Sequence, residues 1–293
     1  MNRFSGCHPI VSAVYFVSVL LLTMFTTHPV LLGFALLGGI AFCATMEHGR
    51  SFGKGMALYG GLFVLIALTN PLFSHNGATP LFFLNGNPVT LEAILYGVDI
   101  AAMLIAVIYW CKCFHHVMTS DKLLFLLGKF SPKIALVVSA ALRFVPLLKG
   151  QAQTIRQAQK AMGLFTSDRW LDTLRATVRG YSALITWSLE NAVDTGSSMK
   201  GRGYGLKGRS HFALFRFTPA DGVLVGLILV LDGIVCASLA AGALDVVFYP
   251  HLSVLWQGMS ALPAFVAFGL LAFLPVILEV REGLLWNYYT SKI

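Results

Sequence analysis

Charge is scarce in this chain. Asp, Glu, Lys and Arg make up only 12% of its 293 residues, against 57% hydrophobic residues and a mean hydropathy of +0.75. A soluble domain of this length cannot hide so much apolar surface, which excludes a soluble globular protein and implies an integral membrane protein. Lys and Arg are missing altogether from residues 70–90 and 244–257. Cysteine is limited to Cys7, Cys43, Cys111, Cys113 and Cys236, whose scattered positions give neither a paired ligand spacing nor a disulfide framework. They read as small apolar fillers.

Catalytic machinery is equally hard to find. The nearest match to a phosphate-binding loop, Gly49-Arg50-Ser51-Phe52-Gly53-Lys54-Gly55, has one residue too few between its glycines and Gly where Ser or Thr should follow Lys. His75, His115 and His116 lack accompanying carboxylates or cysteines at ligand spacing on one face, and Cys111-Lys112-Cys113 is too short for a dependable zinc site. No nucleophile, metal or acid/base cluster is visible. The expectation is a non-enzymatic protein with no cofactor, no metal and no nucleic-acid partner.

What the chain does have is long apolar runs. Crossing roughly 30 Å of hydrocarbon takes about 17–25 residues of helix. Suitable runs occur near residues 10–26, 29–46, 55–70, 91–111, 221–243 and 258–279, the third being short. Residues 1–30 fit a cleavable signal peptide only loosely, so the first run is read as a retained span. The fold class expected is an all-α integral membrane protein of about six transmembrane helices.

The scarce charge is unevenly placed. Arg50 and Lys54 lie between the second and third spans, whereas the connections at 70–90 and 244–257 have no basic residue. The positive-inside bias puts the first connection in the cytoplasm and the other two outside. Both termini then face the cytoplasm of a plasma-membrane protein, and all 21 Lys and Arg lie on that side. Three regions follow: residues 1–111, with four spans; 112–216, a cytoplasmic insert; and 217–293, with the last two spans.

The insert carries 16 Lys or Arg against five acidic residues between Lys112 and Arg216, a net charge of +11. A basic face beside a bilayer meets anionic lipid, but that does not explain its apolar pattern. Ile134 to Leu148 is apolar yet short, contains Arg143 and Pro146, and would export the basic segment behind it if it spanned. It is read as an interfacial or packed helix starting at Ser131-Pro132. Gln151 to Met162 reads as a polar helix with Ile155, Ala158 and Met162 at helical spacing. After capping residues Thr166-Ser167-Asp168 a second helix carries the stripe Trp170, Leu174, Val178, Tyr181, Ile185, Leu189, Ala192 and Met199. Both helices end in glycine, at Gly163 and at Gly201, Gly203 and Gly205.

These residues resemble the T component, or transmembrane scaffold, of energy-coupling factor transporters, a family that includes the cobalt-transporter T subunit. The resemblance runs through Thr27-His28-Pro29, Asn70 to Gly77, Ala141 to Leu148 with Arg143 and Pro146, and most strongly Ser198 to Gly205. It implies that the insert holds two coupling helices docking on a pair of cytoplasmic ABC-type ATPases, with Trp170, Leu174 and Val178 supporting them. It further implies that the membrane helices hold a substrate-binding S component for a vitamin or metal ion. ATP binding and hydrolysis then move the coupling helices and tilt the S component.

In the family each coupling helix ends in Ala-Arg-Gly. Here the first signature reads Ala161-Met162-Gly163 and the second Gly201-Arg202-Gly203. Two explanations of the missing arginine stand open: asymmetric docking on two non-identical ATPases, with Met162 as an apolar anchor, or charge supplied by Lys160 or Arg156. Asp99 and Asp232 lie within spans, where a carboxylate suggests a relay or a structural contact. The alternative function is a self-sufficient secondary transporter, for which no internal repeat is evident.

Overall fold

The computed structural model describes residues 3–46, 50–74, 77–84, 87–164, 170–206, 215–249 and 259–290. Two compact units emerge: Met1–Leu123 with Phe215–Ile293, and Leu124–Leu214. The first contains α1 (Arg3–Gly6), α2 (Pro9–Phe25), α3 (Pro29–Met46), α4 (Arg50–Phe73), α5 (Leu91–Val117), α9 (Pro219–Ala240) and α10 (Leu262–Thr290). α6 (Ser120–Phe130) begins in it and ends in the second unit, where α7 (Pro132–Ala161) and α8 (Trp170–Gly201) lie.

All six expected spans coincide with helices, and the chain is a multi-pass membrane protein. Six helices among the described residues are long and apolar enough to cross: Pro29–Met46, Phe52–Phe73, Leu91–Val117, Pro132–Ala161, Pro219–Ala240 and Leu262–Thr290. Pro9–Phe25 is an apolar helix of 17 residues. The third span, expected to be short, belongs to a helix of 24 residues that begins at Arg50, five residues before the expected run, and continues through Pro71 to Phe73.

Two corrections concern the insert. The expected interfacial helix and the expected polar helix are one continuous α7 of 30 residues that runs through Pro146 and Gly150. Its length therefore does not argue against crossing, as a separate 134–148 segment would. Ser131 does occupy the N-cap with Pro132 behind it, but its side chain makes no capping bond. The proposed caps Thr166, Ser167 and Asp168 lie outside the described residues.

In the first unit α5, α3, α10, α9 and α2 form a closed circuit of neighbours, with α4 packed on α5. Lipid tails are as apolar as leucine, so helices in a bilayer associate through close packing and interhelical hydrogen bonds. α3 supplies both. A Cβ at Gly38 would stand 2.9 Å from the Ala272 carbonyl oxygen of α10, and one at Gly39 would stand 3.1 Å from Tyr109 Cβ of α5. The second approach lets the Trp110 indole N–H donate to the Ala35 carbonyl at 2.9 Å. Tyr15 of α2 donates to the Leu271 carbonyl at 3.0 Å. Around these bonds Phe4, Tyr15, Phe16, Phe42 and Trp110 are fully or almost fully buried and meet mostly edge to face.

Proline and glycine also join α4 to α5. Pro71 has no N–H for the Ala67 carbonyl one turn earlier, and a Cβ at Gly97 would lie 2.6 Å from that oxygen. The Asn70 amide donates across the same seam to the Ala93 carbonyl at 2.8 Å.

Sequence reading missed the short helix α1, the helix α6 and a hairpin. β1 (Pro80–Leu84) and β2 (Asn87–Thr90) form an antiparallel hairpin with a register irregularity between Pro80 and Phe82. Glu92, in the first turn of α5, anchors its base by accepting from the Thr79 hydroxyl at 2.8 Å. Gly77 next to it has φ 138°, and a Cβ there would fall 2.6 Å from the Glu92 carboxylate.

Gly33, by contrast, faces open space. Gly38→Val should therefore destabilise the protein by about 1–3 kcal/mol through overpacking, while Gly33→Val should leave stability nearly unchanged. Thermal unfolding in detergent, followed by tryptophan fluorescence, measures the difference.

Candidate partner-docking site at two helix ends

Ala161-Met162-Gly163 and Gly201-Arg202-Gly203 prove to be the same backbone structure. At the end of α7 the Gly163 N–H donates to the Lys160 carbonyl at 3.0 Å, and the Leu164 N–H to the Gln159 carbonyl at 3.1 Å. At the end of α8 the Gly203 N–H donates to Lys200 at 3.0 Å, and the Tyr204 N–H to Met199 at 3.0 Å. Gly163 and Gly203 are left-handed, with φ 76° and 83°. This is the Schellman closure, which satisfies carbonyls that a helix end leaves without partners.

The closure itself is not specific to the insert. α9 ends the same way at Gly242, with φ 70° and the Gly242 and Ala243 N–H groups bonded to Leu239 and Ser238. What distinguishes the α7 and α8 ends is the side chain just before the glycine. Met162 is 68% exposed and Arg202 is exposed too. The cap presents each residue at the rim of its helix, one apolar and one cationic.

Aligning the two caps bears on the explanations of the missing arginine. Lys160 stands two residues before Met162, and Lys200 stands two before Arg202. Both ends therefore carry this lysine, and they differ at the next aligned position but one, Met162 against Arg202. Arg156 corresponds to Gly196, more than a turn back along the helix. The α8 tip thus has one cation more than the α7 tip.

Within the second unit the two helices meet where sequence patterning did not point. Gln159 is buried and donates from Nε2 to the Ala176 carbonyl at 3.2 Å. Ala176 is 2% exposed, and a Cβ at Gly180 would lie 3.2 Å from the Gln159 amide oxygen. Small residues at 176 and 180, one helical turn apart, let α7 approach, and the glutamine amide bonds into the gap. Gly180 in the middle of a helix was the available signal, because an interior glycine usually has a packing reason.

The apolar stripe of α8 lies elsewhere. Trp170, Leu174, Val178, Tyr181, Ile185 and Leu189 are all more than half exposed. Arg143 and Pro146 are exposed on α7. The structure brings none of these six α8 side chains into the Gln159 contact.

A family model described as cobalt transport protein, CbiQ, matches residues 7–212. The chain belongs to this family. The chain is also similar to proteins named energy-coupling factor transporter transmembrane protein EcfT. That of Listeria innocua is 38% identical over 104 residues, covering 35% of this chain and 39% of its own. That of Lactobacillus helveticus is 33% identical over 104 residues, covering 35% and 38%, and that of Exiguobacterium sibiricum is 33% identical over 112 residues, covering 38% and 42%. The matches therefore span about two fifths of the length of these relatives.

In this family member the two glycines of the α8 tip should respond to substitution in opposite ways. Gly203→Ala forces a Cβ into a left-handed position 3.0 Å from Leu206 and should cost about 1–2 kcal/mol at the α8 tip. Gly201→Ala has open space and ends a helix, so it should be neutral or stabilising by up to about 1 kcal/mol. Hydrogen exchange of the Arg202 to Tyr204 amides reads both effects.

Proposed function

We propose that this chain is the transmembrane T component of an energy-coupling factor importer in the plasma membrane. In this reading both termini and the unit Leu124–Leu214 are cytoplasmic, and α7 does not cross the bilayer, since Arg143 and the basic residues after it would have to be exported. The observation that carries the reading is the pair of matched helix ends presenting Met162 and Arg202 outward. Two equal backbone frames with unequal tips suit a pair of cytoplasmic ABC-type ATPases that are not identical. Arg202 meets a carboxylate in one through a forked, charge-assisted contact, and Met162 fills an apolar pocket in the other.

The exposed stripe of α8 needs a partner of different chemistry. Six large apolar side chains along one helix face are a surface for a partner as apolar as a membrane protein. We assign it to the S component, which selects the vitamin or metal ion. Movement of the helix tips by the ATPases would then reach the S component along α8. Asp232 ties α9 to α2, its Oδ2 accepting from the Ser18 hydroxyl at 2.5 Å.

Purification of the tagged protein from its native host should yield two ATPases and a small hydrophobic membrane protein. Arg202→Glu should remove one ATPase from that complex, since losing a desolvated charge contact costs about 2–5 kcal/mol. Met162→Asp should weaken the other. A lone chain that transports in liposomes without ATP, or an Arg202→Glu complex of unchanged composition and transport, would overturn the reading.

A further inference from the structure

The first unit holds a cavity that the coupling role leaves unused. Its volume is about 180 Å³, and Cys43, Met46, Lys112, Cys113, His115 and His116 line it. Cys43 and Met46 end α3, and the others occupy the last turns of α5. Lys112, His115 and His116 share one helix face by their i, i+3 and i+4 spacing. Cys43 and Cys113, 2% and 1% exposed, lie deep, while the imidazoles are at the exposed rim.

Thiols and imidazoles invite a metal reading, and the geometry rejects it. Among the described residues no three His, Cys, Asp or Glu side chains are placed to hold one ion. Lys112 also puts an ammonium at the cavity wall, where it repels a cation. That ammonium is positioned by α4: it lies 5.7 Å from the centroid of the Tyr59 ring, and a Cβ at Gly55 would stand 3.6 Å from its Nζ. Basic residues in the last turns of α5 complement the helix dipole, but that role requires no cavity.

We infer that this cavity binds the phosphate of an anionic phospholipid headgroup. Lys112 supplies the point charge, and His115 and His116 supply N–H donors at the rim. Basic pockets between membrane helices suit such headgroups, and about 180 Å³ lies below the roughly 300 Å³ at which pockets for larger ligands begin. Lipid is favoured over free phosphate because the neighbouring α4 exposes Leu58 and Leu65, 69% and 64%, two turns apart on one face, as an apolar flank for an acyl chain. The inference does not depend on which partners the chain has.

Native mass spectrometry of the full chain in mild detergent tests it, with phosphatidylglycerol or phosphatidylcholine added. Wild type should retain phosphatidylglycerol in preference, and Lys112→Gln should lower that retention about fivefold, the factor for one basic residue at an anionic surface. Lys112→Arg should restore it. Because His115 and His116 are exposed, the double change His115→Gln/His116→Gln leaves folding intact and should also reduce retention. Equal phosphatidylglycerol retention in wild type and both Gln variants would overturn the inference. So would occupancy by inorganic phosphate that excludes the lipid.

Discussion

Close contact of α3 with two neighbours at successive glycines is the constraint on which the membrane unit depends. Gly38 admits the backbone of α10 and Gly39 admits α5, and only at that separation can the Trp110 indole reach the Ala35 carbonyl. In a bilayer no hydrophobic force drives helices together, so such van der Waals contact and hydrogen bonding must do so. Tyr15 extends the arrangement by bonding α2 to α10, and the aromatic cluster fills the space that remains. A Cβ at either glycine pushes one pair of helices apart and takes the ring of neighbours with it.

The second unit uses the same means for another end. Ala176 and Gly180 admit α7, and Gln159 bonds across the seam. Because the contact is made by small and polar groups, the large apolar residues of α8 stay outside it. An amphipathic helix ordinarily buries its apolar stripe within its own fold. Here the stripe remains available to another molecule, as the surface of one part of an assembly would.

Position and chemistry separate at the helix tips. The Schellman closure sets where residues 162 and 202 stand, and among the described residues it is common to the ends of α7, α8 and α9. Side-chain identity then sets what each tip can bind. Alignment of the caps sets Lys160 opposite Lys200 and Met162 opposite Arg202.

Much was legible in the sequence because the bilayer reduces folding to a problem of length and charge. Six spans, a basic insert and two glycine-ended helices follow from apolar runs, Lys and Arg placement and cap residues, each a property local in the chain. Their limits were less legible: the run 55–70 belongs to a helix that extends from Arg50 through Pro71 to Phe73, and the segments 134–148 and 151–162 are one helix that continues through Pro146 and Gly150. Local preference also could not show which glycines are contacts, since Gly33 and Gly38 look alike in a span and only the neighbouring helix tells them apart. The sequence by itself determined the membrane topology expected and the residues of the candidate tips. Tertiary structure alone decided that Gln159 packs while the Trp170 to Leu189 stripe does not, and that the two tips are one frame, because these are relations between segments distant in the chain.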